Sequence, residues 1–198
     1  MNRIASFAAV LLALSPLVPS SLAPTSVAST AQAQPPETLG IEVEATRVAG
    51  TGILAGEAEG TVDASIDEVT AIVSNYASYR EFMPHFRQSR VLSQRGDRAM
   101  VYMEVAILRD AHRLWAQMRV SAREENGRRI VDARMIEGNM TTFEARWELQ
   151  PLADGRTRAR FRLMVDPDLP LPDSAVSSEN LKFARKSIVA LRRRIAAT

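Results

Sequence analysis

Two histidines, three tyrosines and no cysteine bound the chemistry this chain could do on a bound molecule. His112 stands two positions after Asp110, a spacing that could orient an imidazole as a general base, and His85 follows Pro84 directly. A general base also needs a cleft and a fixed partner, and spacing supplies neither. Both histidines are read as surface residues near turns, so no catalytic residue is assigned. Without cysteine there are no disulfides, thiolate metal sites, Cys nucleophile or lipidation signal. Two isolated histidines give no metal-ligand spacing. No G-x-S-x-G, P-loop or G-x-G-x-x-G opens a helix, which disfavours hydrolases, nucleotidases and dinucleotide enzymes. Neither a metal nor a cofactor is expected.

What remains is an apolar site. The inward register of the expected strands and of the last helix combines small residues with flexible and aromatic ones: Ala58, Gly60, Met103, Ala116, Met118, Phe143, Ala145, Phe161, Leu163, Ala184 and Ile188. Methionine adapts to varied apolar shapes, and small residues leave volume unfilled. A dry core is the competing reading for any one of them. Tyr76, Tyr79 and Phe82 are expected at the rim, where they could gate entry or meet a membrane interface. Arg134 or Asp132 could serve as a polar anchor if their strand turns them inward.

The elements that must position these residues are legible from periodicity. Ile41, Val43 and Ala45 alternate with Glu42, Glu44 and Thr46, and Ile53 to Asp63 reads as a strand with Glu57, Glu59 and Thr61 turned to water. Ser65 with Glu68 three positions later forms a capping box ahead of a short helix from Ile66 to about Asn75. A second short helix stops before Pro84. Six strands follow: 89–94, 99–108, 112–123, 129–136, 142–149 and 157–166. Short turns at Gly96, Arg109-Asp110, Gly127, Gly138 and Gly155 separate them, so the sheet is an antiparallel meander. The outward charges of the last two strands, Glu144, Arg146 and Glu148 against Arg158, Arg160 and Arg162, suggest cross-strand ion pairs. After three prolines a helix begins near Asp173, with Leu181, Ala184, Ile188, Leu191 and Ile195 on one stripe. The fold class is α+β, a curved antiparallel sheet of about seven strands wrapped on a long C-terminal helix, with two short helices after the first strand.

Composition agrees with one ordinary globular domain: 198 residues, 46% hydrophobic and 24% charged, with a formal charge of +2. Acids and arginines are interleaved, which argues against nucleic acid as a partner. Lys182, Arg185, Lys186, Arg192, Arg193 and Arg194 could favour anionic lipid headgroups, although cations at a helix C-terminus also offset its dipole. Residues 1–33 read as a signal peptide: Arg3, an apolar run from Ile4 to Leu14, the breaker Ser15-Pro16, and Ala31-Gln32-Ala33 ahead of cleavage before Gln34. An uncleaved anchor is the alternative. Residues 34–40 are expected to be a flexible tail and 41–198 the domain, periplasmic or secreted after cleavage.

Three stretches carry a family resemblance. Glu59-Gly60-Thr61-Val62-Asp63-Ala64-Ser65-Ile66-Asp67-Glu68-Val69, leading through Tyr76 and Tyr79 to Phe82-Met83-Pro84, resembles the strand-to-helix opening of the START-like or SRPBCC helix-grip superfamily. The run from Glu137-Gly138 through Phe143, Trp147 and Pro151 to Gly155-Arg156-Thr157 is similar to its Gly-aromatic-Trp strand pair. Leu191-Arg192-Arg193-Arg194-Ile195 looks like the end of its closing helix. The resemblance covers about Ile53 to Ile195 and points to the polyketide cyclase/dehydrase and coenzyme Q-binding (lipid transport) branch. It implies a START-like ligand-binding domain with a cavity between sheet and helix for lipids, quinones, sterols or polyketides. Two functions follow as expectations: a non-catalytic exported carrier of a lipid or isoprenoid quinone-like molecule, with a peripheral membrane contact left open, or a cyclase/dehydratase using His112, Tyr102 or Arg134. An envelope interaction scaffold is the third.

Overall fold

The computed structural model describes residues 39–107 and 111–198. The expected signal peptide, most of the expected flexible tail and the Arg109-Asp110 turn lie outside the described residues. Strands β1 (Glu42–Arg47) and β2 (Leu54–Val62) are followed by α1 (Ile66–Ser74), a 3₁₀ turn (Tyr76–Ser78) and the single-turn α2 (Tyr79–Phe82). The rest of the sheet is β3 (Phe86–Arg95), β4 (Arg98–Ile107), β5 (His112–Glu125), β6 (Arg128–Gly138), β7 (Thr142–Pro151) and β8 (Thr157–Asp166), and α3 (Asp173–Ala196) closes the chain. The eight strands form one antiparallel sheet in the order β1-β2-β8-β7-β6-β5-β4-β3. Consecutive hairpins make the β3–β8 meander, and β2 joins it by pairing with β8. This is the helix-grip arrangement expected from the element order, with eight strands instead of about seven because β1 pairs with β2 along its whole length, from Glu42↔Glu59 to Arg47↔Leu54.

The capping box forms as read. Ser65 Oγ accepts the Glu68 N–H at 3.3 Å while Glu68 Oε2 accepts the Ser65 N–H at 2.8 Å, so two N-terminal donors of α1 are satisfied reciprocally. Val69 and Val73 then point into the core, fully buried. Ser65→Ala is expected to lower the stability of the domain by about 1 kcal/mol, measured by urea denaturation. A loss below ~0.3 kcal/mol would show that α1 is held by packing alone.

Helix α3 spans 24 residues, roughly 36 Å at 1.5 Å per residue, and its buried face is rotated from the expected stripe. Leu181 is only half-buried, whereas Ser177, Asn180 and Ser187 are buried beside Val176, Ala184, Ile188 and Leu191. The polar members are all satisfied, as burial requires. Ser177 Oγ accepts the Leu54 N–H at 2.8 Å, and Asn180 Nδ2 donates to the Leu54 and Val165 carbonyls at 3.1 and 3.2 Å. Ser187 Oγ donates to the Phe183 carbonyl at 2.9 Å. The Ser177 and Asn180 bonds pin α3 to the ends of β2 and β8. Farther along, Arg192 Nε donates to the Thr61 carbonyl at 2.8 Å, and its Nη1 donates to the Leu39 carbonyl at 2.7 Å.

The expected ion pairs exist with different partners. Across β7–β8 the outward register sets Glu148 opposite Arg160 as expected, but Arg146 opposite Arg162, Glu144 opposite Met164 and Gln150 opposite Arg158. The ion pairs therefore run to other neighbours: Glu144 to Arg134 and Glu148 to Arg128 on β6, and Arg160 and Arg158 to Glu59 on β2. Sequence gives the outward face of each strand, but the register between strands selects the partners.

Candidate apolar cavity

Between α3 and the sheet the inward side chains of β4–β8 leave a cavity. Met103 (β4), Met118 and Val120 (β5), Val131 and Ala133 (β6), Phe143, Ala145 and Trp147 (β7), and Phe161 and Leu163 (β8) form its sheet wall. Phe183 of α3 faces them, and Tyr76, Tyr79, Met83 and Phe86 close the end. The free volume is about 30 Å³, room for a water or two and far less than a lipid. Aromatic packing accounts for the contraction. Trp147 and Phe161 ring centroids are 4.4 Å apart, and Phe183 lies 6.4 Å from Phe161 and 6.5 Å from Phe86.

Among the described residues no charged side chain lines the cavity, and the polar side-chain atoms in its wall are the Trp147 indole nitrogen and two phenols. Tyr79 Oη donates to the Val73 carbonyl at 2.6 Å. Burial pushes its phenol well above the ordinary range, against a smaller opposing effect of hydrogen bonding to Trp147. Burial likewise raises Tyr76. Neither phenol is tuned toward neutral pH, where an acid/base group would be wanted.

Of the residues singled out in the sequence, Met103, Met118, Phe143, Ala145, Phe161 and Leu163 come together around this cavity. Ala58, Gly60, Ala116, Ala184 and Ile188 do not line it. Ala58 and Gly60 sit under α3, where a Cβ on Gly60 would meet Ile188 Cγ2 at 3.1 Å and the end of Arg192 at 2.9 Å. Their small size makes room for the helix, with Ala184 and Ile188 buried in the hydrophobic core. Ala116 is fully buried in β5, opposite Met103 and Gly138. Tyr76 and Tyr79 wall the cavity from within instead of standing at an exposed rim, and Phe82 is half-buried with Arg194 5.9 Å above its ring. Val120, Val131, Ala133, Trp147, Met83, Phe86 and Phe183 were missed as lining. Trp147 was findable, since it shares the inward alternation of Phe143 and Ala145; Phe183 was not, because it lies beside the apolar stripe of α3.

The candidate polar groups all point away. His85, His112 and Arg134 are exposed, and His85 Nε2 lies 3.3 Å from Lys186 Nζ. Tyr102 stacks on Trp115 at 6.2 Å, under Arg90, on the outer face of the sheet. Asp132 and Arg134 also face outward, so neither is an anchor for the cavity. Among the described residues no group of three or more His, Cys, Asp or Glu side chains could hold a metal ion, and no helix is long and apolar enough to cross a membrane.

The family model described as polyketide cyclase/dehydrase and lipid transport matches residues 62–178. The chain belongs to that family. Solved structures of the START superfamily share the fold. A STAR-related lipid transfer protein from Xanthomonas axonopodis aligns at 15% identity with a TM-score of 0.71, covering 80% of this chain and 94% of the other. Human StAR-related lipid transfer protein 5 aligns at 14% identity and a TM-score of 0.71, covering 80% and 83%. The Zhui aromatase/cyclase from Streptomyces sp. R1128 aligns at 17% identity and a TM-score of 0.56, covering 71% and 94%. At such identities these relatives share the fold, while function belongs to the site. No curated protein matches the sequence. Within this family's plan, the six lining residues named from the sequence fall on β4, β5, β7 and β8.

Proposed function

We propose that this protein is an exported, non-catalytic carrier that holds a hydrophobic small molecule, of the lipid or isoprenoid quinone kind, between the sheet and α3. The observation that carries this reading is the lining: a wall of aliphatic, methionine and aromatic side chains without one charged group among the described residues. At about 30 Å³ the cavity must open to admit such a molecule. Opening has a route in the side chains themselves, since Met83, Met103 and Met118 are unbranched and can repack, and Phe183 is only partly buried. No observation favours a cyclase, because His112, Tyr102 and Arg134 converge on nothing in the cavity. An envelope scaffold is not favoured either: the exposed large apolar residues Leu39, Val43, Val91, Leu92 and Ile136 are spread over different elements.

The test is native mass spectrometry of the protein purified without detergent from its exported fraction, against a denatured and solvent-extracted control. A reproducible apolar adduct, or uptake of one from a panel of phospholipids and isoprenoid quinones, is expected. An empty protein that rejects the whole panel overturns the carrier reading. The same spectrum reports the N-terminus: a chain beginning at Gln34 is expected, and one retained inside the cell with Met1 intact overturns export.

A further inference from the structure

The sheet carries a second concavity on its opposite, outer face, of about 480 Å³, lying across β5, β6, β7 and β8. Its walls hold four guanidinium groups, Arg119, Arg134, Arg146 and Arg162, against two carboxylates, Asp132 and Glu144. Arg119 stands directly opposite Arg134 across β5–β6, and Arg146 directly opposite Arg162 across β7–β8. Like charges in facing positions destabilise a sheet. Elsewhere on this face Arg160 is set between Glu59 and Glu148, while Glu42 and Glu44 of β1 stand opposite Glu59 and Glu57.

Local acids do not cancel the excess. Glu144 is taken by Arg134 at 3.0 Å. Asp132 bridges Arg146, at 2.5 Å, and Arg123 outside the groove. Burial alone would raise Asp132, but the hydrogen bonds from Arg146 and Arg123 outweigh it and hold the carboxyl below its ordinary range. Arg119 and Arg162 form no ion pair or hydrogen bond among the described residues. Glu57 stands opposite Arg162 across β2–β8 but pairs with Arg160 at 3.4 Å, so two guanidinium forks without an ion pair of their own among the described residues face one groove whose walls concentrate their field. One side of the groove is apolar: Ile136 is 47% exposed there, and Met164 lies buried in the wall. Ile136 is the extra residue of a β-bulge, since Gln117 pairs with Glu137 and Met118 with Met135.

We propose that this outer groove is a binding site for a phosphate-bearing small molecule, held by Arg119 and Arg162 with Arg146 and Arg134 completing the positive wall. Guanidinium forks match phosphate oxygens in bidentate geometry, and an anion between the two arginine pairs relieves the repulsion that the empty sheet sustains. The site is separate from the apolar cavity, which lies on the other side of the sheet, and the proposal does not depend on what the cavity holds.

Isothermal titration with inorganic pyrophosphate at low salt tests the chemistry, and sedimentation with phosphatidic acid vesicles against phosphatidylcholine vesicles tests whether the phosphate comes on a lipid headgroup. Saturable binding to at least one probe is expected, weakened about tenfold or more in Arg119→Gln/Arg162→Gln, as loss of charge-assisted pairs requires. Arg158→Gln, on the same sheet face but outside the groove, should bind as the parent does. Binding of pyrophosphate alone identifies a free phosphate ligand, and competition between pyrophosphate and the vesicles identifies a headgroup on the same site. The thermal midpoint of the double variant should equal or exceed that of the parent, because like-charge pairs are removed; if it fails to fold, Arg162→Gln alone carries the test. The proposal is overturned if neither probe binds saturably, or if the arginine variants bind as well as the parent.

Discussion

Replacing Gly56 by alanine is expected to cost about 3 kcal/mol or more, the upper range for forcing one extra methyl into a close-packed contact. A Cβ at Gly56 would lie 2.3 Å from the backbone C and O of Asn180 and 2.5 Å from the backbone N of Leu181. These are main-chain atoms of α3 and cannot swing aside. The helix must lift from β2 or the strand must bend, and either motion pulls Asn180 from the Leu54 and Val165 carbonyls that it bridges. Two half-buried carbonyls would then lose a donor, which adds to the steric cost. For a domain of this size the loss corresponds to a fall of roughly 6–12 °C in melting midpoint. Gly60→Ala supplies the comparison. Its Cβ would meet the end of the Arg192 side chain at 2.9 Å and a methyl of Ile188 at 3.1 Å, both able to shift, so less than about 1 kcal/mol is expected there. Equal losses at the two positions, measured by urea denaturation, would refute the idea that backbone approach of α3 makes Gly56 indispensable.

Trp147→Ala should cost about 3–5 kcal/mol and at the same time open the apolar cavity. Trp147 is 3% exposed, packs on Phe161 and lines the cavity beside Phe143 and Ala145. Truncation removes its dispersion contacts and leaves a void too apolar to hold water favourably. A small aromatic such as indole should enter that void, and binding to the native state alone restores stability by about 2.7 kcal/mol at a hundredfold excess over Kd. Indole is therefore expected to raise the melting midpoint of Trp147→Ala and to leave the parent nearly unchanged. Trp147→Phe separates ring volume from the indole N–H that acts on Tyr79. Destabilisation without rescue by indole would mean that the walls collapse inward once the ring is gone. An interior that collapses so readily could not keep space for a carried molecule, and the proposed function would lose its site.

The two variants address opposite halves of one question: which small or large residues hold the helix and which shape the cavity. The sequence shows Gly60, Ala58 and Ala145 as small residues in inward register, and nothing local distinguishes them. In the folded chain Ala145 lines the cavity while Ala58 and Gly60 lie under α3. Tyr76 and Tyr79 follow the same logic, since their order after the capped helix is legible but their depth is not.

Local patterns by themselves determined the strands β3 to β8, the capped start of α1, the stop before Pro84, and the long final helix, because periods of 2 and 3.6 residues and turn chemistry are written within a few consecutive positions. They also determined that the likeness was to a helix-grip fold and that the lining would be apolar. Only the tertiary structure decided how far α3 stands from the sheet, which of its faces is buried, how small the cavity is, and which arginine faces which across the strands. Those quantities depend on register, curvature and layer spacing, each set by many side chains packing at once across distant parts of the chain, so no single stretch of residues encodes them.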